Sequence, residues 1–212
     1  MAQLGRSMDV HVVESEHERT STGLPHLKLA MWLFLASDCL LFGALISTYV
    51  LYRGASRVGP YPAEVFDIPY TSVSSFVLLA SSLTMVLALA AIQRGDQGQL
   101  RVWLLATALL GATFVGGQVF EFTTFANEGL TLTTNLFSTT FYVLTGFHGT
   151  HVAVGILMLL TVLALSFAGR LPPERAMTVE LVGLYWHFVD IVWIVIFTVV
   201  YLIPTGAPGG AQ

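Results

Sequence analysis

The sequence predicts an all-α protein, an integral membrane bundle of five transmembrane helices. Two features of its composition lead to this prediction: 55% of the 212 residues are hydrophobic, and only 10% are charged. Soluble domains carry about 25% charged residues, so a chain with this composition and a mean hydropathy of +0.74 falls in the membrane class. The third feature is the length of the apolar stretches, each of which could cross a bilayer.

Five stretches reach the roughly 20 mostly apolar residues that a spanning helix needs. The first two, at about residues 27–52 and 71–93, are separated by "RGASRVGPYPAEVFDIP", which contains three prolines. The third, at 102–125, follows the polar turn "RGDQGQLR". The fourth, at 137–168, follows "NEGLTLTTN", and the fifth, at 178–203, follows "GRLPPER". The proline pair of that last segment cannot continue a helix.

The basic residues predict the topology. Only two of the nine, Arg53 and Arg57, lie in the first or third connection or beyond the fifth helix. By the positive-inside rule, the side of the membrane that holds the other seven basic residues is cytoplasmic. The polar tail at 1–26 is therefore inside, and the short tail at 204–212 is outside. The seven cytoplasmic residues are Arg6, Arg19, Lys28, Arg94, Arg101, Arg170 and Arg175.

Several other protein classes are excluded by composition. No basic patch indicates a nucleic-acid partner, and no soluble domain or internal repeat is visible. The single cysteine, Cys39, leaves no disulfide within the chain. The N-terminal segment is polar and acidic and does not have the form of a cleavable signal peptide. We therefore expect the first transmembrane helix to direct insertion.

Polar side chains inside the predicted helices are the candidate functional residues. Charged groups at membrane depth are costly and usually face a bundle interior or a cavity. Asp38 lies eleven residues after Leu27, about 16 Å along its helix, which places it near the midplane. Pairs of polar residues spaced by three share a helix face. The set is Asp38, Gln118 with Glu121, His148 with His151, Glu180, and His187 with Asp190.

The residues alone leave three interpretations of this set open. The first is static hydrogen bonding between helices, the usual role of polar side chains in membrane bundles. The second is metal or haem ligation, because imidazole and carboxylate groups suit zinc, iron or copper. The third is proton transfer along carboxylates and imidazoles, with Asp38 as the best candidate.

Small and aromatic residues predict close packing around these positions. Glycines in the third and fourth helices let backbones approach each other. Trp186 and Trp193 lie inside the fifth span, and we expect them to pack in the core instead of anchoring at the membrane surface. The glycines are Gly111, Gly116, Gly117, Gly146, Gly149 and Gly155.

Four segments resemble subunit III of the haem–copper terminal oxidases. "FYVLTGFHGTHVAVGILML" and "YWHFVDIVWIVIFTVVYL" are similar to the two signature helices of that family. "WLFLASDCLLFGALISTY" resembles its helix with an intramembrane carboxylate, and "GQVFEF" resembles its Q-x-x-E segment. Glu180, six residues before Trp186, also fits the pattern, and the resemblance covers about residues 27–201 in the right order.

The resemblance implies a non-catalytic core subunit of a complex that reduces oxygen to water and pumps protons across the bacterial cytoplasmic membrane. Haems and copper are then expected in subunits I and II, with no catalytic, cofactor or metal residue in this chain. Subunit III packs mainly against subunit I, binds phospholipid and sustains proton uptake. His148 and His151 become members of a buried polar network, together with the other polar residues above and both tryptophans.

This chain departs from the family pattern in two ways. Asp38 stands where the family usually has glutamate, which retracts the carboxyl by one methylene. The long form of the family has seven helices, whereas this chain has five, as in the short bacterial form. The lipid cleft formed by the missing pair is therefore in doubt, and a small subunit IV is expected in its place.

Two other functions remain as alternatives from the sequence. One is an accessory subunit, similar to subunit III, of a nitric oxide reductase. The other is a haem or metal carrier that uses His148, His151 and His187. The electron donor of an oxidase, cytochrome c or quinol, is determined in subunits I and II and not by these residues.

Overall fold

A computed structural model describes residues 23, 25–54 and 67–203 of the chain. These residues form no β-strand, and five of their helices are long and apolar enough to cross a membrane, which confirms the predicted fold class. A 3₁₀ turn at Pro173–Arg175 precedes the last helix, and a π-helix at Thr198–Leu202 follows it. The helices are α1 (His26–Tyr52), α2 (Ile68–Gln93), α3 (Gln97–Asn127), α4 (Leu136–Phe167) and α5 (Ala176–Phe197).

Parts of the predicted tails and connections lie outside the described residues. They include most of the N-terminal tail, residues 55–66 of the first connection, and all of the C-terminal tail at 204–212. Three of the basic residues used for the topology prediction, Arg6, Arg19 and Arg57, fall in these segments.

The helices begin earlier than the apolar stretches, and in α2, α3 and α4 a polar side chain caps the start. α3 begins at Gln97 and not near residue 102, and the Asp96 carboxylate accepts the backbone N–H of Gln99 at 2.9 Å. In α4, Asn135 and Ser138 form a reciprocal capping box, which satisfies two backbone donors at the helix start. Hydropathy marks the part of a helix that lies in lipid, whereas the caps mark where the helix itself ends.

The chain divides at residue 40 into two compact units, and α1 runs through the boundary. In the first unit, Leu35 and Asp38 are the buried side chains of α1. In the second, α2 packs against α3 and α5, and α4 also packs against α3 and α5. These four helices therefore form a closed ring of neighbours, and Phe42 and Tyr49 from the end of α1 are buried in the same unit.

Candidate functional site

Trp186 occupies a slot that four helices form at the centre of the second unit. Its ring is 1% exposed, and its indole N–H donates to the hydroxyl of Ser81 on α2 at 2.9 Å. A Cβ on Gly155 of α4 would lie 2.8 Å from the indole ring, and a Cβ on Gly111 of α3 would collide with it. Both glycines thus admit the ring, whereas Gly146 has open space where its Cβ would be.

His148 of α4 is fully buried between α4 and α5. Its Nε2 lies 3.2 Å from the carbonyl oxygen of Val189, so Nε2 carries the proton and donates. Its ring centroid is 4.8 Å from that of Trp193, and the Trp193 indole N–H donates to Ser75 Oγ at 2.8 Å. The imidazole therefore packs as a flat aromatic group that makes one hydrogen bond between helices.

His151 lies at the edge of the core, although its spacing from His148 predicts a shared face. Its Nδ1 donates to the carbonyl of Phe147 in its own helix at 2.8 Å. Its ring contacts Phe42 edge-on, with centroids 5.0 Å apart, and its carbonyl accepts from the hydroxyl of Tyr185. A separation of three residues turns a helix by about 300°, which leaves the two rings about 60° apart around α4.

Gln118 joins α3 to α4. Its amide nitrogen donates to the carbonyl oxygen of Thr145 at 2.7 Å. Its amide oxygen lies so close to Gly149 that a Cβ there would collide with it. The glycine between the two histidines thus accommodates a side-chain amide from the neighbouring helix.

Glu121, one turn further along α3, is buried among hydroxyl groups. One carboxylate oxygen accepts from Thr71 of α2 at 2.9 Å, and Tyr201 donates from 3.3 Å. Tyr201 lies in the π-helix that ends the fifth span. Such wider turns are rare and tend to occur at functional positions, and here the turn includes the tyrosine that reaches Glu121.

Asp190 and His187 meet at Ser82 of α2. The Ser82 hydroxyl donates to one carboxylate oxygen of Asp190, and its oxygen also lies 3.0 Å from Nδ1 of His187. Asp190 is buried, and no described residue bonds to its other oxygen, whereas His187 is only half-buried. The pair spaced by three residues therefore shares a single serine of the opposite helix.

Two residues predicted from the sequence, Asp38 and Glu180, remain to be placed. Asp38 is buried in α1, with 7% of its surface exposed. Glu180 is half-buried in the second turn of α5. Within α2–α5, the polar residues form separate pairs and triplets at different heights, each joining two or three helices.

The hydroxyl partners of these residues were missed by sequence reasoning. Apart from Tyr201 they lie on α2, which carries no Asp, Glu, His, Lys or Arg and was interpreted only as a spanning helix. A signal was present in "TSVSSFVLLASSLTM", where Thr71, Ser75 and Ser82 recur at spacings of four and seven. Tyr201 had no comparable signal, because its position depends on the π-helical turn.

The described residues contain no group of three or more His, Cys, Asp or Glu side chains that could hold a metal ion. The histidines suggested as haem or metal ligands each use one ring nitrogen for a hydrogen bond within the protein. Their hydrogen-bond partners lie on three different helices, α5, α4 and α2.

Comparison with known proteins gives consistent matches along the chain. The family model described as cytochrome c oxidase subunit III matches residues 7–205. Cytochrome c oxidase subunit 3 of Bacillus sp. strain PS3 is 40% identical over 174 residues, which cover 82% of this chain and 84% of that protein. Cytochrome bo(3) ubiquinol oxidase subunit 3 of Pseudomonas aeruginosa is 36% identical over 92% of this chain and 93% of its own length. Quinol oxidase subunit 3 of Bacillus subtilis strain 168 is 38% identical over 84% and 87%, respectively.

Proposed function

The chain belongs to the cytochrome c oxidase subunit III family, and from this premise we propose that it supports assembly, lipid binding and sustained proton uptake in a proton-pumping terminal oxidase. The oxidase takes electrons from cytochrome c or from quinol, the two donors in the names of the relatives. It reduces oxygen to water at centres held by other subunits. The chain itself acts as a redox-inert part of that respiratory complex.

One observation carries this proposal: Gln118 and Glu121 of α3 and Asp190 of α5 form hydrogen bonds that join helices. Glu121 bonds to Thr71 and Tyr201, and Asp190 bonds to Ser82. Hydrogen bonds between membrane helices contribute roughly 0.6–2 kcal/mol each. A set of them holds the helices in one register, which suits a supporting subunit better than a carrier of metal or haem.

The same premise leads to the proposed location and partners. The chain lies in a bacterial cytoplasmic membrane with its N-terminus inside, as the arginine and lysine distribution indicates. Subunit I is its main contact, with subunit II and a small subunit IV as further partners and phospholipid bound at the helices. The alternative of a nitric oxide reductase subunit gains nothing from the relatives above, all three of which are named as oxidase subunits.

Asp38 provides the test of this proposal. In the purified oxidase, Asp38→Ala should leave the complex assembled and its initial rate unchanged. It should lower the number of turnovers completed before inactivation, because the loss of a buried carboxyl loosens its surroundings. Asp38→Glu, which supplies the carboxyl most of the family carries, should retain the normal number.

Ser37→Ala is the matched control for this test. Ser37 lies next to Asp38 in α1, on an exposed surface. Its hydroxyl bonds only to the Phe34 carbonyl of its own helix. We expect no change in the turnover number of this variant. If Asp38→Ala inactivates no faster than Ser37→Ala, Asp38 has no part in sustaining activity.

A further inference from the structure

We propose that one outward face of the chain docks a transmembrane helix of a different subunit, and that this helix donates a hydrogen bond to His187. The proposal rests on the proposed function, in which the chain is one subunit of a membrane complex. We call this surface the His187 face, and it consists of Leu79, Ser82 and Val86 of α2 with His187, Ile191 and Ile194 of α5.

The His187 face is apolar except at its centre. The four aliphatic side chains are exposed, whereas Ser82 and His187 are half-buried between them. Ser82 lies about 21 Å along α2 from Ile68, and His187 lies about 21 Å from Pro173, at 1.5 Å per residue. Both residues are therefore near the middle of spans that cross a hydrocarbon core of about 30 Å.

The hydrogen bonds of Ser82 determine which ring nitrogen of His187 carries the proton. A serine hydroxyl has one proton, and Ser82 donates it to the Asp190 carboxylate. The contact of 3.0 Å between Ser82 Oγ and His187 Nδ1 then requires Nδ1 to be the donor. A neutral imidazole has one N–H, so Nε2 carries a lone pair that accepts no hydrogen bond from any described residue.

A lipid chain cannot satisfy that lone pair. Polar atoms at membrane depth face a protein interior or a water-filled cavity, and His187 is instead part of an exposed apolar surface. A protein helix laid on this face can supply a donor from Ser, Thr, Tyr, Trp, Asn or Gln while it covers the aliphatic side chains. The surface thus fits a partner helix with one such residue near its midpoint.

A second copy of this chain is a poorer match than a different subunit. A two-fold interface brings the same surface patch together from both copies. At the centre of the His187 face this would place one lone pair against another, with no proton between them. We therefore assign the face to a different subunit.

Photocrosslinking in the intact complex tests the docking surface. A benzophenone amino acid at Ile191 should cross-link this chain to another subunit when native membranes are irradiated. The matched control is Leu109 on α3, because both side chains are 59% exposed and both lie near the middle of their helices. We expect Leu109 to yield no protein adduct. The inference is overturned if Ile191 yields only lipid adducts, a dimer of this chain or a link within it.

Substitution of His187 tests the hydrogen bond. His187→Leu should raise the fraction of oxidase that loses this chain in mild detergent, equivalent to about a three- to thirtyfold weaker association for one membrane hydrogen bond. Ser82→Ala removes only the bond inside the chain and should weaken association less. Equal effects of the two variants would refute the donated bond.

The haem spectrum of the captured material separates this inference from the proposed function. If the chain co-purifies with haem-bearing subunits and Ile191 still cross-links none of the subunits, the assigned face is wrong while the oxidase role stands. If no haem-bearing subunit co-purifies with the unmodified chain, the proposed function itself fails.

Discussion

The slot that holds Trp186 predicts opposite effects for two glycine-to-alanine substitutions in the same helix. Gly155 and Gly146 both lie inside α4, so alanine raises the intrinsic helix propensity equally at both, by up to about 1 kcal/mol. Gly146 has open space for a Cβ. Gly155 has the indole ring 2.8 Å from that position, 0.6 Å less than the 3.4 Å at which ordinary contact begins. Trp186 is held by Ser81 and cannot withdraw without breaking that bond.

The magnitude follows from the comparison of the two sites. Forcing an extra methyl group into a packed core costs about 1–3 kcal/mol, and the propensity gain cancels between the two variants. Gly155→Ala should therefore be about 1–3 kcal/mol less stable than Gly146→Ala. The atoms that would clash belong to the six-membered ring of the indole, so the cost should largely disappear in a Trp186→Phe background.

Unfolding of this chain within the purified complex gives the measurement. Mixed micelles with a rising fraction of SDS unfold the chain, and pulse proteolysis reports the fraction that is unfolded. All four variants of the cycle are compared at the same total detergent concentration. The slot has no energetic role if Gly155→Ala and Gly146→Ala unfold together, or if the Trp186→Phe background leaves their difference unchanged.

Three further contacts are tested by substitution with the same measurement. Ser75→Ala leaves the buried indole N–H of Trp193 without its acceptor and should cost about 1–3 kcal/mol. Thr113→Ala, which removes an exposed bond within α3, should stay within about 0.5 kcal/mol, and equal losses at the two sites would contradict the indole bond. Asn135→Ala removes the cap of α4 and should cost about 0.5–2 kcal/mol; no loss would mean that solvent replaces the cap. Glu121→Ala removes the carboxylate acceptor of the buried Tyr201 hydroxyl, whereas the Thr71 hydroxyl keeps the Asp67 carbonyl, and should cost about 1–3 kcal/mol, most of which Glu121→Gln should recover.

The five helices could be predicted from the sequence because hydropathy and length both have direct physical limits in a bilayer. Every backbone group must be bonded inside the membrane, which leaves only helices for apolar stretches of this length. The starts of α3 and α4 could not be read from hydropathy. Asp96 and Asn135 set them, and both residues lie outside the apolar stretches in connections of polar composition.

The partners of the polar residues were harder to predict than the residues themselves. Trp186 and Asp190 stand out in α5, but their bonds to Ser81 and Ser82 depend on the rotation of α2 against α5. That rotation follows from packing across the whole interface and not from any local pattern. Tyr201 shows the same limit, because an α-helical continuation and a π-helical turn aim its side chain in different directions.

The polar contacts account for a single arrangement of helices that apolar packing alone does not select. A leucine against lipid is about as stable as a leucine against another leucine, so hydrophobic burial discriminates poorly between helix registers in a membrane. A register shift of α5 against α2 would instead separate Asp190 from Ser82 and move Trp186 out of reach of Ser81. Each misplaced register thus leaves buried donors or acceptors unbonded. Ionisable residues can therefore be retained at membrane depth because their hydrogen bonds hold the helices in one register.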